Sequence, residues 1–260
     1  PGDFRASPQN WKVFQDRSGV LYFGNTDGLL LYDGSKWRMK FLPNRSTVRA
    51  LEKERNQLYV GGESEFGKFV PDKAGKLQYQ SYLPMLPDTL KRIRNVWQIH
   101  LFNDSVIFRS HNKLFIFKDD QLKDIIKTPH QYFFSFEHKE KLYFFESGRG
   151  MTCLSDGKTE LVPDGDYYKY YTPRAVFSWN EDSLLLASPI DGLTFYDGTT
   201  FSHWDIPVSD YLEENRLYCG KQLDHNRFAL GTQNAGMAIM NRDGEVEQII
   251  NKETGLQNNM

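Results

Sequence analysis

The chain has 260 residues, and 32 Lys and Arg against 34 Asp and Glu give a formal charge of −2, which removes any electrostatic reason to expect nucleic acid or an acidic membrane surface as partner. No apolar run approaches the roughly 20 residues that cross a bilayer, no signal-peptide pattern is present, and the opening Pro1-Gly2-Asp3 reads as a trimmed start. The length is enough to bury one large all-β core.

Taken in order along the chain, the sequence repeats. A short apolar run reaches a polar or glycine turn and a second apolar run follows, six times. The clearest copies are Leu21-Tyr22-Phe23-Gly24 leading to Gly28-Leu29-Leu30-Leu31-Tyr32-Asp33-Gly34, and Leu185-Leu186-Ala187-Ser188 leading to Gly192-Leu193-Thr194-Phe195-Tyr196-Asp197-Gly198. Aligning Gly24, Gly61, Arg109, Phe145, Ser188 and Gly231 sets repeats at about 10–46, 47–94, 95–131, 132–174, 175–215 and 216–257. Periods of about 40–50 residues built from short strands predict a β-propeller. The fold class is therefore all-β, with four-stranded antiparallel blades and six repeats visible, either closing as six or forming an arc of a larger ring.

Each repeat resolves into strands a to d; in the second these are 48–52, 58–61, 67–70 and 77–82. Consecutive apolar residues such as Leu29, Leu30 and Leu31 mark strands covered on both faces, as sheets stacked blade on blade would be. Asp33-Gly34, Asp156-Gly157, Asp197-Gly198 and Asp243-Gly244 follow strand c and predict hairpin turns with positive φ at both residues. Helix is expected only as a single turn near 210–215. The a–b and c–d turns share one face, and the b–c and d–a loops share the other. The second face carries the long segments 84–95, 163–174 and 207–216, so binding is expected there.

Catalytic chemistry is hard to find. The six histidines are scattered without ligand spacing, and no nucleophile elbow, phosphate-binding loop or dinucleotide fingerprint occurs. Cys153 and Cys219 lack metal-ligand spacing and sit in or beside apolar runs, so both are expected as buried free thiols. No metal, cofactor or enzymatic role is expected. Sugar recognition needs flat aromatic faces beside polar side chains, and the loop Tyr167-Tyr168-Lys169-Tyr170-Tyr171-Thr172-Pro173-Arg174 supplies both. Tyr167, Tyr168, Tyr170 and Arg174 are its candidates, with packing of the loop onto the disc as the alternative. Asn25, Glu63, Arg109, His111, Arg149, Gln233 and Asn234 join them from b–c loops. Arg109 stands out because a charge replaces a small residue near the axis, where it must be paired or useful. Trp11 and Trp97 read as core at the start of strand a, and Trp37, Trp179 and Trp204 as interblade packing. Lys91, Arg92 and Arg94 read as a solvated loop.

The motif running from Leu21 to Gly34 resembles the two-component regulator propeller repeat. The opening Asn10-Trp11-Lys12-Val13-Phe14-Gln15-Asp16 and the run from Tyr59 to Gly67 resemble it as well. So does the closing run from Asn251 to Met260, which in that family leads into another repeat; repeats three and four are degenerate. The resemblance implies a periplasmic sensor region of a bacterial hybrid or one-chain regulator. It implies further propeller repeats, a triple-tyrosine sandwich, a membrane helix and an output module downstream. An oligosaccharide ligand and a homodimer formed through the full-length protein are the partners it implies, with membrane contact only through that downstream helix.

Overall fold

The computed structural model describes residues 6–258. Pro1, Gly2, Asp3, Asn259 and Met260, on which the readings of the two chain ends fall, lie outside these residues. The described strands form six four-stranded antiparallel sheets, each in sequential order from strand a to strand d. The fold is a β-propeller of six blades. Contacts divide the chain after Tyr132 into two compact units, with blades 1 to 3 in the first and 4 to 6 in the second.

In the first unit, blade 1 runs from Asn10–Gln15 to Trp37–Lys40, blade 2 from Val48–Glu54 to Leu77–Ser81, and blade 3 from Gln98–Phe102 to Gln121–Lys127. Its core lies between sheets. Leu29, Leu31, Val48, Leu51, Val60 and Phe69 join blades 1 and 2. Phe66, Tyr82, Phe108, Phe115 and Phe117 form a closed aromatic cluster between blades 2 and 3, with Phe66 stacked on Phe115 at 5.3 Å. In the second unit, Phe145, Met151, Leu184, Leu186 and Tyr196 join blades 4 and 5. Phe177, Leu185, Leu193, Leu217, Phe228 and Leu230 join blades 5 and 6. Strand b of blade 5, Leu184–Ala187, is buried throughout, which explains its unbroken apolar sequence.

The turns close by a different device from the one expected. Of the four Asp-Gly pairs, only Asp156 and Gly157 both take positive φ; at Asp33, Asp197 and Asp243 only the following glycine does. Asp33 Oδ1 instead accepts the backbone N–H groups of Ser35 and Lys36 at 3.0 and 2.8 Å, and Asp197 Oδ1 those of Thr199 and Thr200 at 2.8 Å. Asp16, Asp72, Asn180, Asp224 and Asn241 do the same in other a–b and c–d turns. The Asx side chain supplies the acceptor that a tight turn needs, which relaxes the demand for left-handed backbone.

Other expectations need correction. The helix is eight residues, Pro207–Glu214, and buries Val208 and Leu212, one turn apart on the face turned to the core of blades 5 and 6. Pro207 at its first position and this i, i+4 apolar pair are legible in the sequence, but the surrounding acidic residues mask them. Trp37 stacks on Tyr32 of its own blade at 4.5 Å. Cys153 and Cys219 are free, but Cys219 is exposed and Cys153 only partly covered. By register the fifth-blade partner of Gly231 is Ala187, one residue before Ser188: Ala187 pairs with Leu193 as Gly231 pairs with Met237.

Candidate functional site

The site begins with an irregularity that three blades share. Strand a pairs regularly with strand b except near its start, where one extra residue bulges out. The extra residue is Trp11 in blade 1, Arg49 in blade 2 and Tyr218 in blade 6. In blade 3 Trp97 holds the matching place, immediately before Gln98, which pairs with Arg109 as Ala50 pairs with Gly61. Arg174 holds it in blade 5, its N–H donating to Ala187 as that of Trp97 donates to Arg109. A bulge re-aims a side chain out of the alternation of its strand. Three blades use that freedom, and with Trp97 and Arg174 five blades carry an aromatic ring or a guanidinium at one register position.

In the first unit three of these side chains stack together. The Arg49 guanidinium lies 4.1 Å from the centroid of Trp11 and 4.8 Å from that of Trp97, a cation between two indoles. The two indoles meet edge to face at 6.3 Å. Arg49 Nε donates to Asn95 Oδ1 at 2.9 Å, while its Nη1 is buried without a hydrogen-bond partner. Neither indole is core as expected: Trp11 is 36% exposed and Trp97 half-buried.

Beyond Trp97 the array opens into a cavity of about 440 Å³ at the b–c and d–a loops of blade 3. Arg92, Ile93, Arg94, Ser110, His111, Asn112, Lys113, Pro129, His130 and Gln131 line it. Trp97 Nε1 donates to His111 Nε2 at 3.3 Å, and His111 Nδ1 meets the Gln131 amide at 2.9 Å. An indole N–H can only donate, so His111 Nε2 accepts there; the Gln131 amide meets Nδ1 through its Nε2, where the roles follow the tautomer of the ring. Burial, with Arg94 and Arg109 nearby, holds the His111 pKa below its usual value and keeps the ring neutral. The loop is ordered against the neighbouring blade: Ser64 N–H donates to Arg94 O, and Ser64 Oγ to Ile93 O.

Arg109 lies behind this cavity, 2% exposed. It is paired with no carboxylate among the described residues. Its Nε and Nη2 donate to Gln98 Oε1 at 3.1 and 2.8 Å, and Nη1 donates to Tyr132 O at 2.9 Å. Burial lowers its pKa to about 9, which leaves it charged at neutral pH. The residue therefore fills and ties the interior rather than facing a ligand. Its register explains the size of the substitution. A Cβ on Gly61, the equivalent residue of blade 2, would meet Val96 Cγ1 at 2.4 Å. At Arg109 that close approach is replaced by a long side chain reaching to the carbonyl of Tyr132.

The other candidates divide between the two units. Asn25 is fully buried and its Nδ2 is used by Ser7 O, Gln9 O and Asn10 Oδ1, so it offers nothing to a ligand. Glu63 is exposed beside an isolated bridge to Asn95. In the second unit Arg149 donates to Thr159 O at 2.9 Å and approaches the buried Glu146 carboxylate at 3.4 Å. Tyr168 is buried among Phe145, Tyr171 and Phe201, and Tyr167 stacks on Phe201 at 5.0 Å with its hydroxyl on Asp191 Oδ2. The tyrosine loop packs, as its alternative reading expects. Only Tyr170 projects, 85% exposed, with Lys169 over its ring. Arg174, Gln233 and Asn234 are exposed.

The face expected to be plain also carries clefts. A cavity of about 620 Å³ at the a–b and c–d turns of blades 2 and 3 is lined by Glu54, Tyr59, Tyr82, Asp104, Lys118 and Asp120 among others. Among the described residues no three His, Cys, Asp or Glu side chains converge as metal ligands, and no helix is long and apolar enough to cross a membrane.

No family model matches the chain, and no curated protein does. Solved structures do. The chain is similar to the extracellular domain of the putative hybrid two component system BT4673 from B. thetaiotaomicron, with TM-score 0.69 and 16% identity over 99% of this chain and 35% of that one. It thus spans about a third of that domain. It is also similar to the WD40 β-propeller domain of Doa1 (TM-score 0.63, 12% identity, 94% and 86% of the two chains) and to the AfRom2 CNH domain (TM-score 0.63, 12% identity, 93% and 84%). At these identities the likeness is one of fold.

Proposed function

We propose that this chain is the propeller part of an extracytoplasmic sensor region of a bacterial two-component-type regulator, acting by binding rather than by catalysis. The ligand is an oligosaccharide, taken at the loop end of blade 3. The observation that carries this reading is the cavity bounded by His111, Gln131 and the two loop arginines and backed by the Trp97–Arg49–Trp11 stack. Its lining offers the planar amides and guanidinium groups that saccharide hydroxyls require, and His111 joins it to the adjacent Trp97 ring. The repeat motifs and the fold of the hybrid two component neighbour support the placement in a sensor. Ligand binding would drive the regulator through its different affinities for two arrangements of a homodimer.

Calorimetry of this chain against an oligosaccharide panel tests the proposal. Saturable binding that His111→Ala or Gln131→Ala weakens at least tenfold is expected, with Tyr170→Ala neutral. Binding lost on Tyr170→Ala but kept in the His111 variant would move the site to the second unit. A second reading, a propeller used for dimerisation or protein contact, is favoured by exposed apolar residues on strand a, with Val13 55% and Tyr218 58% exposed. A folded protein that binds no saccharide but dimerises at micromolar concentration would support that reading instead.

A further inference from the structure

The cavity of blade 3 has a lopsided electrostatic character. Arg92, Arg94 and Lys113 line it beside the neutral His111, and no carboxylate does. Arg92 and Arg94 are exposed and have no side-chain hydrogen bond or ion pair with a described residue. Lys91 on the same loop is by contrast paired with Asp88, outside the cavity. Among the described residues the Lys113 ammonium donates to Asn112 Oδ1 at 3.1 Å and to no carboxylate. Glu63, on the adjoining b–c loop, forms no ion pair with a described residue.

A second, independent observation has the same sign. Arg109 is fully buried behind the cavity, keeps its charge at neutral pH, and among the described residues is answered by the neutral oxygens of Gln98 and Tyr132. A cleft with walls of low dielectric focuses such a field outward. Two guanidinium forks in one cleft, without internal acceptors, match a planar carboxylate or a sulfate better than they match neutral hydroxyls.

We infer that this cavity is an anion subsite, and that the saccharide it takes carries a carboxylate or sulfate group bound between Arg92, Arg94 and Lys113. Ser110, Asn112 and Gln131 are left to hydrogen-bond the neighbouring hydroxyls. The inference rests on the proposed saccharide site, but its failure and the failure of that reading can be told apart.

The test is isothermal calorimetry on the 260-residue chain with trigalacturonate, its full methyl ester, maltotriose and inorganic sulfate. Trigalacturonate is expected to bind and the methyl ester to bind at least tenfold more weakly. The Arg92→Ala/Arg94→Ala double variant should lose at least tenfold in affinity for the acid, and Lys113→Ala about threefold. Lys91→Ala, on the same loop but paired with Asp88 and outside the cavity, should be unchanged. Both arginines are exposed, so circular dichroism should show the double variant folded; Arg94→Lys, retaining charge without the fork, should recover part of the loss. Sulfate binding that needs the two arginines, without binding of any saccharide, would uphold the anion subsite and sink the saccharide reading. Equal binding of acid and ester, binding of maltotriose indifferent to the arginines, or no binding of any anionic probe would each overturn the inference.

Discussion

Arg109 illustrates how one residue can be conspicuous in a sequence and still be misassigned. It occupies a register position that is glycine or alanine in blades 1, 2, 5 and 6, so a charge there is visible as an exception. Its direction is not visible, because that depends on where the carbonyl of Tyr132 comes to lie. Arg109→Ala should destabilise the protein by about 3 kcal/mol or more, since it opens a cavity and strips hydrogen bonds from Gln98 and Tyr132. Arg109→Met, which restores most of the volume, should cost about half of that. Urea midpoints at unchanged m-value check both; a loss below about 0.5 kcal/mol for the alanine variant would mean that the buried guanidinium is not structural. The glycines at the same register are bound by the opposite constraint. Gly61→Ala places a methyl group 2.4 Å from Val96, and a loss of about 1–3 kcal/mol is expected on thermal or urea unfolding. An equally stable variant would show that the strand-a entry of blade 3 yields easily.

At the scale of elements, adjacent blades are fastened by ion pairs at the a–b and c–d turns. Asp16, in the first turn of blade 1, accepts from Lys53 of blade 2 at 2.5 Å and from Tyr22. Asp120, in the c–d turn of blade 3, accepts from Lys68 of blade 2 and from the Tyr82 hydroxyl. Burial alone would raise the pKa of each carboxyl, but these hydrogen bonds outweigh it and hold both below the ordinary carboxylate value. A depressed pKa in the folded state gives stability that is present above the unfolded value and is lost as pH falls through the folded one. Stability should therefore begin to decline near pH 4, the ordinary aspartate value being about 3.9, and go on declining below it. Melting temperatures between pH 7 and 2.5 measure this. Asp16→Asn should lower the melting temperature at pH 7 and flatten its acid slope; an unchanged slope would assign the acid sensitivity to other groups. These partnerships are not legible along the chain, since Lys53 lies 37 residues from Asp16 and Lys68 lies 52 from Asp120. The bulges at Trp11, Arg49 and Tyr218 are hidden for the same reason: only pairing with strand b reveals the extra residue.

At the scale of the whole molecule, the proposed placement makes a prediction that does not depend on the ligand. Alkaline phosphatase, which needs oxidised disulfides to be active, should be active when fused after residue 258 of the protein in its natural host. Activity confined to a cytoplasmic reporter at the same junction would reject the sensor placement. The all-β class, the six four-stranded blades and the double-sided burial of strands such as Gly28–Tyr32 and Leu184–Ala187 were determined by the sequence. Each of these is a local consequence of apolar period and turn chemistry repeated six times, and repetition makes a weak local signal strong. The candidate site was only half legible. The sequence nominates His111 among the b–c loop residues, while Trp11 and Trp97 read as core and Arg92 and Arg94 as a solvated loop. The tertiary structure decided which of these side chains face one another, because the bulges and the d–a loop bring blades 1, 2 and 3 together across as many as 120 residues. It also consigned most of the tyrosine loop to packing against Phe145 and Phe201, since a large aromatic residue near a core gains more by burial than by display.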